Sequence, residues 1–150
     1  MTTERDICDI ISIFHDGIIS AYSGDKDRLT VTIDCEYLAE HIESGFGKFF
    51  IQLTNVKELD LTTWPRNKND LPRTLSALEY IFQADLEILN VEQNEKREKV
   101  VSCLQLDPNF DYNGGDLRII AEELRIFDQN KSEISVDQLL ALAKDYWGSF

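Results

Sequence analysis

The chain holds two histidines, His15 and His41, and any general acid–base chemistry near neutral pH would fall to them first. His15 is followed by Asp16, and a histidine beside a carboxylate is the smallest unit that could work as a general base. Adjacent residues at a helix end usually point apart, however, and no Gly-x-Ser-x-Gly motif supplies a nucleophile anywhere in the chain. The plainer expectation for His15 is a cation at a helix end beside a turn-forming Asp16-Gly17 pair. For His41 it is a partly exposed residue near a strand or helix end.

Oxygen side chains recur at every second position from Asp107 through Asn109, Asp111 and Asn113 to Asp116, a spacing that calcium loops share. An EF-hand would need glycine where Tyr112 stands and glutamate where Arg118 stands. Asp128, Asn130 and Ser132 begin the same way, and Leu139 then occupies the position of the closing glutamate. Turns are expected at both places, with a metal site through Asp107, Asn109 and Asp111 as the lesser reading. Three cysteines, Cys8, Cys35 and Cys103, are far apart and offer no close pair for zinc or for a disulfide framework. Each lies among apolar residues, so buried reduced thiols are expected. Gly114-Gly115 matches no phosphate-binding loop, and aspartates around it would repel phosphate. No cofactor is expected.

The elements that would position these groups follow from periodicity. Ile7, Ile10, Ile11 and Phe14 form one helical stripe, predicting a helix over about residues 3–15, capped by Thr2 or Thr3 and stopped by a left-handed Gly17. The period then shortens to two. Strands are predicted at 18–22 and 29–35, with a turn at 23–27 and an ambiguous stretch at 36–42. Further strands follow at 49–54 and from about Leu59 to an end at Trp64-Pro65, separated by a turn at Asn55. The polar stretch from Arg66 to Arg73 is the best candidate for a mobile loop. Leu75, Leu78, Ile81 and Phe82 suggest a short helix from about Thr74. Strands at 86–91 and 100–106 flank a charged hairpin turn at Asn94–Glu98. A loop over 107–116 precedes one or two strands at 117–127, with a bend near Ala121-Glu122. Ser135 and Gln138 match a capping box before a last helix carrying Leu139, Leu142, Ala143 and Tyr146. The expected architecture is a single α+β domain over residues 1–150. It is mainly antiparallel sheet, with an N-terminal helix, a short middle helix and a C-terminal helix.

Acidic residues number 28 against 15 basic ones, a net charge of −13 at pH 7, and they predominate in both halves of the chain. Such a field repels phosphate backbones and anionic lipid, so neither nucleic acid nor membrane is an expected partner. The opening residues do not read as a signal peptide, and the cytoplasm is the expected location. Trp64 at the edge of the polar loop and Trp147 near the end of the chain are large aromatics that either dock on the sheet or meet a partner. With Arg66 and Asp70 of the loop they form the expected partner-binding set.

Several segments together resemble a family of small, acidic bacterial proteins of no established activity. They are Phe14-His15-Asp16-Gly17-Ile18-Ile19, Ile33-Asp34-Cys35-Glu36-Tyr37-Leu38-Ala39-Glu40, Asn55-Val56, Trp64, Gly114-Gly115-Asp116-Leu117 and Tyr146-Trp147. The resemblance spans most of the chain and implies one compact, intracellular α+β domain; it carries over no functional residues. In size and acidity the chain is also similar to the immunity proteins that neutralise bacterial toxins, a likeness of composition. The expected function is therefore non-catalytic binding of a protein, sharpest as neutralisation of a basic toxin, with a homo-oligomer open through an exposed strand edge. The alternative is a small-molecule-binding protein or enzyme using His15 and Asp16 or the Asp107–Asp116 loop.

Overall fold

Apolar residues at helical spacing build the first element. In the computed structural model, which describes residues 4–148, helix α1 (Glu4–Ser12) buries Ile7, Ile10 and Ile11, and Phe14 follows them into the core. The helix is shorter than the predicted 3–15, because the chain after Ser12 tightens into turns in which Ile13 N–H donates to Ile10 O and Phe14 N–H to Ile11 O. The proposed caps Thr2 and Thr3 lie outside the described residues. The stop differs too. Asp16, at φ 69°, takes the left-handed position assigned to Gly17, a conformation aspartate tolerates better than most residues. Gly17 is needed for room: a Cβ there would lie 2.7 Å from Phe14 O and 3.2 Å from Asp34 O.

Strands β1 (Ile18–Gly24) and β2 (Arg28–Asp34) form a hairpin. Its turn is fastened by the Asp25 carboxylate, which accepts the N–H groups of Asp27 and Arg28. The ambiguous stretch resolves into a single helical turn, α2 (Glu36–Ala39). The two strands expected on either side of Asn55 are one, β3 (Lys48–Pro65). Asn55, at φ 51°, sits inside it beside a register shift between Val56 and Glu58. A bulge of this kind bends a strand and moves its buried phase, which breaks the apolar alternation just as a turn would.

Strand β4 (Thr74–Leu75) and the one-turn helix α3 (Leu78–Ile81) replace the helix expected from Thr74. Then come β5 (Leu86–Gln93), β6 (Lys99–Leu104), β7 (Tyr112–Phe127), β8 (Glu133–Ile134) and α4 (Val136–Gly148). Strand β7 thus takes in the second half of what the sequence suggests is a loop. The capping box is present: Gln138 N–H donates to Ser135 Oγ at 3.1 Å, and Ser135 N–H to Gln138 Oε1 at 2.7 Å.

The strands lie in the order β4-β3-β2-β1-β5-β6-β7-β8, and β3 also pairs with β7. Each strand pairing among the described residues is antiparallel. The β3–β7 ladder joins the two wings of the sheet, so the circuit β1-β2-β3-β7-β6-β5 closes on itself. Its weakest seam is β1–β5, with partners only at Ile18–Glu87 and Ile19–Leu86. Closure changes the expectation of an exposed edge: among the described strands, the outer ones in the order are the two-residue β4 and β8, which offer little template for pairing. The inward row, including Val31, Ile33, Ile51, Leu53, Leu117 and Ile119, meets Ile11 of α1. The molecule is thus mostly antiparallel sheet with short helices, and α1 covers its apolar interior. No helix among the described residues is long and apolar enough to cross a membrane.

Candidate functional site

Alternation along a strand that buries one face leaves a second row on the other. On β3 the second row past the bulge is Asp60, Thr62 and Trp64. Across the ladder Asp60 faces Arg118, Thr62 faces Asp116 and Trp64 faces Gly114, and Asp116 is paired on its other side with Ser102 of β6. The β5–β6 turn forms one wall of a groove over this face, and Pro72 and Thr74 the other; the groove has a volume of about 660 Å³. The turn is held in shape by Asn94, whose side-chain oxygen accepts the N–H groups of Lys96 and Glu98.

Gly114 decides where Trp64 can lie. A Cβ on Gly114 would come within 2.8 Å of Trp64 Cε3 and 2.1 Å of Cys103 O, so only glycine lets the indole rest across β7. Burial pushes the Asp116 carboxyl above its ordinary range, the Trp64 hydrogen bond pulls it back, and repulsion from Glu92 adds to the rise.

Arg118 stands next in the row and is 20% exposed. Its Nη2 donates to Asp60 at 2.7 Å, and its Nη1 to Glu98 at 3.1 Å and to Glu58. Hydrogen bonds and charge from Asp60 lead in holding its guanidinium protonated well beyond the usual arginine range. One cation is therefore shared by three carboxylates. Asp60, Glu95, Glu98 and Asp116 line the groove against Lys96 and Arg118, and among the described residues no ion pair reaches Asp116. The groove carries excess negative charge beside an aromatic ring.

Of the expected partner-binding set, Trp64 alone lines this groove. Arg66 lies at its end of the polar loop, where its Nη2 reaches the carbonyls of Asp107 and Tyr112, both at 3.4 Å. Asp70 shares a recess of about 240 Å³ with Leu71, Arg73 and Asp111. The loop is fastened: Thr63 N–H donates to Arg73 O, Arg73 N–H to Thr63 Oγ1, and the Arg73 guanidinium pairs with Asp111 at 2.5 Å. Leu71 at its tip is 83% exposed. Trp147 belongs to another patch, against Tyr37 at 5.6 Å and His15 at 6.1 Å between ring centres.

His15 and Asp16 do not point apart: Nε2 lies 3.6 Å from Asp16 Oδ1, because the left-handed Asp16 turns its side chain back. The His15 Nδ1–H donates to Leu89 O at 2.6 Å, and His41 Nδ1–H to Tyr37 O at 2.9 Å. Both rings thereby fasten main chain and flank the aromatic side chains of α4.

In the Asp107–Asp111 loop Asp107 Oδ1 accepts Asn109 N–H at 2.9 Å and Asp111 is taken by Arg73, so these groups are spent on the turn. Among the described residues no three His, Cys, Asp or Glu side chains gather as a metal site would need. All three cysteines are free and buried. Burial raises the thiol of Cys8, that of Cys35 to about 11 and that of Cys103 to about 12.

Sequence reasoning missed Asp60, Asp116, Arg118 and Glu98 as members of one site. The available signal was the polar phase of β3 and β7, with a tryptophan and a glycine closing it. What joins them is a pairing between strands about fifty residues apart, as from Trp64 to Gly114. Comparison with protein-family models, with curated proteins and with solved structures finds no match.

Proposed function

We propose that this is a non-catalytic protein-binding domain that engages a basic partner protein through its acidic surface, centred on the groove at Trp64. The observation that carries this reading is the charge imbalance of the groove. Arg118 is already saturated by Glu58, Asp60 and Glu98, while Asp116 is partly desolvated and, among the described residues, has no cation paired with it. A carboxylate in that state gains from an incoming positive charge, having lost hydration already. The net charge of −13 would steer a cationic protein toward this face and speed encounter. In its sharpest form the partner is a basic toxin whose phosphate-binding surface this domain fills, as an immunity protein does.

The test is affinity capture with the full chain as bait, washed at low and at high salt, followed by determination of the partner's charge. A basic protein retained at low salt and released at high salt is the expected outcome. Capture of only neutral or acidic proteins, or of none at low salt, contradicts the reading.

A further inference from the structure

Resting on that reading, we propose that the groove takes one arginine side chain of the partner, its guanidinium lying against the Trp64 indole and forking onto Asp116. The precedent is internal. The same outer face already holds a guanidinium, that of Arg118, between Asp60, Glu58 and Glu98, so the spacing of its two strand rows suits a planar, forked cation. One step along those rows a carboxylate stands on the same face, and among the described residues no cation pairs with it. Thr62 and Asp116 face each other where Asp60 and Arg118 did, and Trp64 and Gly114 follow.

Three features favour arginine. A guanidinium is planar, stacks flat on aromatic faces and donates in parallel to a carboxylate, where an ammonium sits over a ring only as a point charge and lacks the fork. The indole rests against Gly114, where a Cβ would displace it. Glu95 of the facing turn supplies a further carboxylate beside Lys96, the lining's other cation. A groove of about 660 Å³ has room for a side chain with its flanking main chain. Pro72 forms its rim, and the neighbouring Leu71 is an apolar contact held outward by a fastened loop.

The experiment uses the chain's two tryptophans as reporters. In ¹⁵N-labelled protein the Trp64 indole N–H peak is assigned with Trp147→Phe and followed during titration with N-acetyl-arginine amide, and with the citrulline analogue, which has the same shape without the charge. A saturable shift of the Trp64 peak with arginine, at least tenfold weaker with citrulline, is expected. Asp116→Asn should abolish it and Glu43→Gln, an exposed change elsewhere, should not; an unmoved Trp147 peak verifies that each variant is folded. No shift, an equal shift with citrulline, or persistence in Asp116→Asn overturns the site. Capture of the basic partner separates the two levels. A partner bound equally by wild type and Trp64→Ala removes the groove and leaves the protein-binding reading standing, whereas loss of binding in Trp64→Ala supports both.

Discussion

At the scale of one residue, the binding role proposed for Asp116 would oppose stability. Its carboxyl is raised in the folded state, first by burial. A raised carboxyl means that the folded protein holds its proton to higher pH than the unfolded chain, so stability declines as pH climbs from the ordinary value of 3.8 through the raised one. Asp116→Asn removes that burden. Its melting temperature at neutral pH should equal or exceed that of wild type, and a fall of several degrees would show that the charge stabilises the fold. The cysteines obey the same sign at the alkaline end. Their contribution is complete below the unfolded value of 9.0 and disappears as pH rises toward about 11 for Cys35 and about 12 for Cys103. Native protein should react with a thiol reagent at neutral pH orders of magnitude more slowly than denatured protein. Gly114→Ala should be far less tolerated: its Cβ meets Cys103 O at 2.1 Å, and overpacking of this kind costs about 1–3 kcal/mol, readable by urea denaturation. Single-residue reasoning from the sequence reached the thiols and the turn-forming aspartates. It could not reach Asp116 as a site, because burial and the Trp64 contact arise only from strand pairing.

Elements whose cause is local were legible. The capping box at Ser135 and Gln138 needs only four residues, and it forms as the sequence implies. Ser135→Ala should therefore cost about 1 kcal/mol, seen as a lowered denaturation midpoint, and a neutral result would mean that packing of Leu139 alone holds α4. The charged turn at Asn94–Glu98 was legible for the same reason, since Asn94 bonds within it. Two signals were ambiguous in kind. The break in alternation at Asn55 fits a turn or a bulge equally, and only the continuous β3–β7 ladder decides for the bulge. At Asp16-Gly17 either residue could hold the left-handed stop, and crowding of Gly17 against Phe14 O and Asp34 O settled it. The two-residue β4 and β8 carry too few residues for any periodicity to show.

For the whole molecule, composition announced an acidic chain and the run of strands an antiparallel sheet, but neither showed that β3 and β7 would close the sheet on itself. Closure depends on pairings distant in sequence, and it is what sets Trp64, Asp60, Asp116 and Arg118 on one outer face. The same closure leaves only the two-residue strands β4 and β8 as outer strands in the order among those described, so the proposed binding would rest on side chains and charge. Electrostatic attachment at such a face weakens as salt shortens the range of the field. The most direct measurement is the dissociation constant of the captured partner across increasing salt, for wild type and for the Glu95→Gln, Asp116→Asn double variant. A steep loss of affinity with salt in wild type, and a weaker, flatter dependence in the variant, is the predicted result. Affinity unchanged by salt, or identical curves for the two proteins, would contradict an acidic groove as the binding surface.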